Sequence, residues 1–213
     1  MKTEFRKVII PDEIESLCEF DRKAFASFPA DLFDPEDWAQ YQSYWMIVDG
    51  KTVGCSAFVH DVDYDEQPRP KCLYIISTGI LPELWGQGLG SKQKQWQIEY
   101  ARQRGFESIV TNMRESNTRI IRLNKKFGFI IRELVPGYYF DPEEAAVVMA
   151  NGTLELLLPQ KWHRPAPNPR LPATSTSIES DAPADIDQQL LRTEIVDTRD
   201  GAPSCPKLQR KSP

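Results

Sequence analysis

Apolar and polar positions along the first 160 residues switch repeatedly between two periods. FRKVII, residues 5–10, has the short, apolar-ended pattern of a strand. In PDEIESLCEFDRKAF, residues 11–25, Ile14, Leu17, Cys18, Phe20 and Phe25 fall near helical spacing, and Pro11 with the acids after it suits a first turn. DPEDWAQYQSYW, residues 34–45, predicts a second helix, with Asp34 as its cap and Pro35 at its first position. WMIVDGKTVGCSAFVHDV, residues 45–62, predicts a hairpin turned at Asp49-Gly50. CLYIISTGIL, residues 72–81, is almost unbroken apolar sequence, as expected of a central strand buried on both faces. A helix follows from Gly90 to Arg104 and stops at Gly105. SIVTNM (108–113) reads as a strand, and NTRIIRLNKKFGF (117–129) as a helix with an Asn cap and Gly128 after its end. EEAAVVMA (143–150) and GTLELLL (152–158) supply the last strand material. The alternation predicts an α/β (α+β) domain over residues 1–162, built on a mixed sheet.

The pattern stops after residue 162. HRPAPNPRLPATSTSIESDAPAD is rich in Pro, Ser and Ala and has no aromatic residue. It cannot bury enough apolar surface to offset the entropy of ordering, so residues 163–213 are expected to form a disordered tail. DIDQQLLRTEIV, residues 185–196, is either a transient helix or a few apolar residues in that tail.

Charge and cysteine usage narrow the function classes. The chain has a formal net charge of -5, which gives no general attraction to nucleic acid or an anionic membrane. No apolar run approaches the ~20 residues of a membrane span, and the N-terminal MKTEFRKVIIPDEIES lacks a signal peptide's apolar core. The four cysteines (Cys18, Cys55, Cys72, Cys205) form no CxxC pair, so they read as reduced thiols of a cytoplasmic protein. His60 and His163 stand far apart, which argues against a metal site. Monomer and homodimer both remain open.

The candidate chemistry centres on LPELWGQGLGSKQKQW, residues 81–96, where Gly86, Gly88 and Gly90 stand between a strand and a helix. Such a junction leaves the first helical N–H groups pointing outward at the positive end of the helix dipole, a site for an anion. Glycines let the backbone approach that anion closely. Lys92, ill placed for the dipole, suits a neighbouring anion. Neither a Walker loop nor a dinucleotide GxGxxG fits: Ser91 and Lys92 follow Gly90, and the glycine spacing is wrong.

The run ILPELWGQGLG, then a helix, a strand and SNTRIIRLNKKFGF, resembles the GNAT superfamily of N-acetyltransferases. That family's Arg/Gln-x-x-Gly-x-Gly/Ala signature corresponds to Trp85-Gly86-Gln87-Gly88-Leu89-Gly90, with Trp in the first place. Its second signature, an Asn-started helix ending in Gly-Phe, corresponds to Asn117, Leu123, Gly128 and Phe129. The resemblance implies the acyl-CoA N-acyltransferase fold, in which two parallel strands splay apart around acetyl-CoA. It implies a diphosphate on the amides of Gly86, Gln87, Gly88, Leu89, Gly90 and Ser91, with Lys92 beside it. It also implies a pantetheine arm along the backbone of Gly79 and Ile80. Asn117 would be both a helix cap and a cofactor contact, and Asn124 either a solvated helix residue or a cofactor contact.

The chemistry implied is direct attack of a primary amine on the thioester, which needs a proton acceptor, oxyanion donors and an acid for the thiolate. The family's usual residues are missing: Asn124 follows Leu123 where Tyr is common, and Asn112 occupies a frequent carboxylate or His position. Tyr74 resembles the catalytic Tyr of some protein N-terminal acetyltransferases, or else is a sheet-core aromatic. Tyr138 and Tyr139 resemble the Tyr pair on the substrate-side loop of such enzymes, or else stabilise a strand. The acceptor is then an amine of a small cationic molecule, or a protein N-terminal or lysine amine. Acidic loops 31–37, 60–66 and 140–144 either attract it or serve as caps, and Asp61, Asp63 and Asp65 share one face if they lie in a strand. The alternative is an acyl-CoA-binding module that does not turn over.

Overall fold

The computed structural model describes residues 2–152. The expected tail, the 185–196 helix, the GTLELLL strand beyond Gly152, His163 and Cys205 lie outside the described residues. The elements in order are β1 (Thr3–Lys7), α1 (Ile14–Ala24), α2 (Pro35–Gln40), β2 (Gln42–Val48), β3 (Lys51–Val62), β4 (Pro68–Ile80), α3 (Leu89–Gln103), β5 (Ser108–Arg114), α4 (Thr118–Lys126), β6 (Ile130–Tyr139) and β7 (Glu144–Gly152). Seven strands form one sheet in the order β1-β2-β3-β4-β5-β7-β6. Every pairing is antiparallel except β4 with β5, whose parallel connection runs through α3.

Alternate residues divide the sheet's two faces. Leu73, Ile75, Ile109, Met113, Val147 and Met149 pack with Tyr100, Ala101 and Phe129, so α3 and α4 cover that face. Trp45, Cys55 and Ala57 pack with Leu17, Phe20 and Trp38 of α1 and α2 on the other. Tyr64, Cys72, Tyr74, Val110 and Val148 form a separate cluster that Tyr138 and Val135 of β6 adjoin. Because CLYIISTGIL faces helices on one side and these clusters on the other, it is apolar at nearly every position.

Two expectations need correction, and one strand was not expected. YQSYW does not continue the second helix: α2 ends at Gln40, Tyr41 turns extended (φ -99°, ψ 149°), and Gln42–Val48 is a strand. Its backbone bonds to β1 on one edge and β3 on the other, and its Trp45 and Met46 bury on opposite faces, a tertiary gain that overrides local helical spacing. Residues 130–139, unassigned from sequence, form β6, whose two register shifts and Pro136-Gly137 hide the period of two. The first helix begins at Ile14, three residues beyond Pro11. The Asp49-Gly50 turn is as expected, with both residues at positive φ (47° and 79°).

Among the described residues no helix is long and apolar enough to cross a membrane, and no group of three His, Cys, Asp or Glu could hold a metal ion.

Candidate functional site

The parallel pair β4–β5 is short. It runs from Cys72↔Ser108 to Ile75↔Thr111 and then parts, the last rung closed by Thr111 Oγ1 donating to the Ile75 carbonyl at 3.1 Å. At the same level β4 carries an extra residue, Ile76, opposite the Ala57–Phe58 step of β3. A bulge increases local twist and re-aims the strand, which is the physical cause of the parting. Beyond it, Ser77 to Ile80 keep their pairing with β3 but have no strand on the β5 side among the described residues. Gly79 and Ile80, named from sequence, lie on this open edge. Gly79 also sits against Phe20, Phe25 and Ala24, where an added Cβ would come within 3.3 Å of all three.

The parting opens toward the glycine turn. After one 3₁₀ turn, Pro82–Leu84, Trp85 folds back so that its indole N–H donates to the Ile80 carbonyl at 2.9 Å. Gly86 (φ 85°) and Gly88 (φ 78°) are left-handed, and a Cβ on either would meet nothing within 4 Å. Gly88 is the N-cap of α3, and the Ser91 and Lys92 amides are the first to bond back, both to its carbonyl. The amides of Gln87, Gly88, Leu89 and Gly90 have no backbone acceptor among the described residues. Outward donors, a helix's positive end and no obstructing side chain fit a diphosphate. Gly90 differs from its neighbours: it lies within the helix, 3.5 Å (as a Cβ) from Leu123.

Two cations stand near this turn. Lys92 is exposed and borders the groove between α3 and β1 with Thr3, Phe5 and Trp96. Arg119, which the sequence reading missed, lies in the first turn of α4 with its guanidinium 4.9 Å from the centre of the Trp85 ring. Its only sequence signal is its place two residues after the cap. Asn117 is that cap, its side chain accepting from the Ile120 amide at 3.3 Å.

On the other face of the parting, three side chains from three strands join. Tyr74 of β4 donates to Asn112 Oδ1 of β5 at 2.6 Å, and Asn112 Nδ2 donates to the Tyr139 hydroxyl of β6 at 3.1 Å. Tyr138 stacks edge-on against Tyr139, with ring centres 5.0 Å apart. The structure therefore brings the sequence-named tyrosines together and adds Asn112 as their link. Tyr74 is also part of the sheet core, as its structural reading from sequence expects.

Two residues along β5, Arg114 is almost fully buried. It donates from Nε and Nη2 to both Asp31 oxygens (2.8 and 3.0 Å), to the Pro142 and Phe140 carbonyls (2.9 and 3.0 Å), and to Glu144 at 3.4 Å. Its guanidinium lies 4.6 Å from the ring centres of both Phe28 and Tyr139. Burial works against its charge, but Asp31 and Glu144 outweigh that and its pKa is raised. Glu144 also accepts from the Ser116 amide and hydroxyl.

The acidic loops are thereby largely committed to structure. Asp34 and Asp37 form a capping box at the start of α2. Asp63 is buried and ion-paired with Arg69 at 2.7 Å and Arg132 at 2.8 Å, while Asp61 accepts from the Lys71 amide and Asp65 from the Gln67 amide. The shared face expected for Asp61, Asp63 and Asp65 does not form, because Asp61 is left-handed (φ 58°) and Tyr64–Glu66 turn the chain.

The inner face of α3 buries polar side chains beside Leu89, Tyr100 and Ala101. Gln93 donates to the Cys55 carbonyl and Ser56 hydroxyl, and Gln97 to the Ser56 and Thr78 hydroxyls. Lys94 is buried over the Phe129 ring at 5.0 Å, and burial lowers its pKa to about 7. Asn124 is 0 % exposed. Its amide points at Met113 Sδ (3.5 Å), so the solvated position considered from sequence is excluded.

A family model described as the acetyltransferase (GNAT) family matches residues 13–129. An uncharacterized N-acetyltransferase of Methanocaldococcus jannaschii is 24% identical over 153 residues, covering 65% of this chain and 66% of that protein. Among solved structures, the ribosomal-protein-S18-alanine N-acetyltransferase of Escherichia coli superposes with a TM-score of 0.59 at 19% identity, over 71% of this chain and 94% of that one. A chain of the NatC complex bound to Gag peptide and CoA superposes with a TM-score of 0.59 at 16% identity, over 72% and 99%.

Proposed function

The chain belongs to the acetyltransferase (GNAT) family, and from that premise we propose that it transfers an acetyl group from acetyl-CoA to the primary amine of a peptide or protein with an apolar neighbouring side chain. The observation that carries this reading is the wall around the parted strands. Tyr74 and Tyr139 meet there through Asn112, Tyr138 stacks on Tyr139, Phe28 shares the Arg114 guanidinium with Tyr139, Phe140 is exposed in the adjoining turn, and the carboxylates Asp31 and Glu144 are held by Arg114. A polyamine or aminoglycoside needs uncommitted negative charge at the rim; an apolar side chain beside a single amine needs aromatic surface. The neighbours named for a ribosomal protein and for a bound peptide make peptides a natural first arm of the screen.

Acetyl-CoA supplies the activated thioester. The amides from Gln87 to Gly90 would hold its diphosphate, Arg119 would add charge there, and the open edge of β4 through Gly79 and Ile80 would bond its arm. Asn112 fixes both tyrosine hydroxyls at once: it accepts from Tyr74 and donates to Tyr139, so each ring is set to one rotation. The amine's proton would leave by a hydroxyl-and-water route, with Tyr139 and Tyr74 as its protein members. Backbone N–H groups of β4 at the Ile76 bulge would serve the developing oxyanion.

The test is acetyl-CoA consumption against peptides with free apolar N-termini, polyamines, aminoglycosides and amino acids. Peptides should accelerate it, and Tyr139→Phe should lower the peptide rate by roughly 10²-fold, as for loss of a general acid–base group. Acceleration by polyamines alone would refute the acceptor class. A second reading, an acyl-CoA binder without turnover, is favoured by Asn124, which stands in the family's Tyr position and faces the core. Tight coenzyme binding with no acceleration by any amine would establish it.

A further inference from the structure

Arg114 makes more contacts across the acceptor side than any role in the sheet requires. A β5 residue completes its backbone ladder with Ala146 of β7 and needs nothing further. Yet this guanidinium reaches the α1–α2 connection through Asp31 and Phe28, and the β6–β7 hairpin through the Phe140 and Pro142 carbonyls and Glu144. Through Glu144 it also reaches Ser116, at the entry to α4. These segments are far apart in sequence, with Asp31 and Arg114 separated by 83 positions. The Tyr139 ring lies against the same guanidinium, and its hydroxyl accepts from Asn112.

We infer that Arg114 is a positioning residue: it staples the two acceptor-side loops together and sets the Tyr139 hydroxyl against Asn112. The fork of a guanidinium is what allows this, since it bonds both Asp31 oxygens while presenting flat faces to Phe28 and Tyr139. A lysine would keep the charge and lose both the bidentate bond and the stacking. The inference rests on the acetyl-transfer reading only for its kinetic part.

The test compares the full chain with Arg114→Lys and Asp31→Asn, the second serving if the first fails to fold. Hydrogen exchange should quicken in residues 28–34 and 138–144 together, while the acetyl-CoA dissociation constant changes by less than about twofold, because the amides of α3 are untouched. With a short peptide bearing a free apolar N-terminus, kcat/KM should fall by roughly tenfold or more, the scale of a displaced catalytic group. In the Tyr139→Phe background the same substitution should cost less than about twofold, because the two act through one hydroxyl. Unchanged exchange in either loop, coenzyme affinity falling in step, or losses that multiply in the double variant would each overturn the staple. If the wild-type chain leaves the peptide unacetylated, the acceptor reading fails, and the exchange and coenzyme arms still decide the role of Arg114.

Discussion

Lys94 of α3 carries a buried amine over the face of Phe129, which follows α4. A cation over an aromatic ring gains ~0.5–2 kcal/mol, which does not offset full desolvation, and the pKa falls to about 7. The sign of the linkage follows from that direction. The unfolded chain holds its proton up to the ordinary lysine range, while the folded one releases it near neutrality, so stability rises with pH between about 7 and 10. Below that window both states are charged and the folded state carries the full penalty, on the order of a few kcal/mol. Lys94→Met should therefore raise Tm, and by more at pH 6 than at pH 9.5, in matched thermal melts. Equal gains at both pH values would mean that packing, not the buried charge, sets the difference. Nothing in the sequence marked Lys94, because its burial depends on Phe129, 35 positions away. Asn112 was equally hidden: sequence showed which residue was absent from its position, and only the fold showed that its amide joins Tyr74 to Tyr139.

At the level of elements, the glycine turn separates two roles that the sequence presents as one. Gly86 and Gly88 are left-handed and border open space, whereas Gly90 lies inside α3 against Leu123. Gly88→Val should cost about 1–2 kcal/mol of strain and place a branched side chain where the amides face outward. Titration calorimetry should show acetyl-CoA binding weakened by at least tenfold in a chain that still melts cooperatively. Gly90→Ala meets an ordinary contact and gains helix propensity, so its affinity should stay within about threefold of wild type. A reversed order of the two effects would move the phosphate site elsewhere. This turn was legible because strand, glycines and helix are contiguous, and each leaves its own local signal. β6 was not legible, because its bulges and Pro136-Gly137 break the alternation that betrays a strand. The end of α2 was missed for a related reason: YQSYW has helical spacing locally and becomes a strand only through partners on both edges.

For the molecule as a whole, the parted β4–β5 pair divides the labour between the sheet's faces and ends. On the proposed reading, coenzyme-facing features come from β4, α3 and the start of α4, and acceptor-facing ones from the α1–α2 connection and the β6–β7 hairpin, which Arg114 links. All of these lie between residues 28 and 144, and the family match closes at residue 129. Among the described residues, the seven strands and their apolar clusters lie between Thr3 and Gly152. A chain ending at Trp162 should then bind acetyl-CoA with unchanged affinity and melt within about 2 °C of the full chain, a shift that corresponds to about 0.5–1 kcal/mol at this size. The outer strand β6 gives this comparison a second measurement. Ile130, Ile131 and Leu134 are each about half exposed along an edge with no further strand among the described residues, the kind of surface that recruits another strand. Sedimentation reads whether this edge associates copies of the shortened chain. An affinity more than tenfold below that of the full chain would mean that residues 1–162 do not suffice for coenzyme binding.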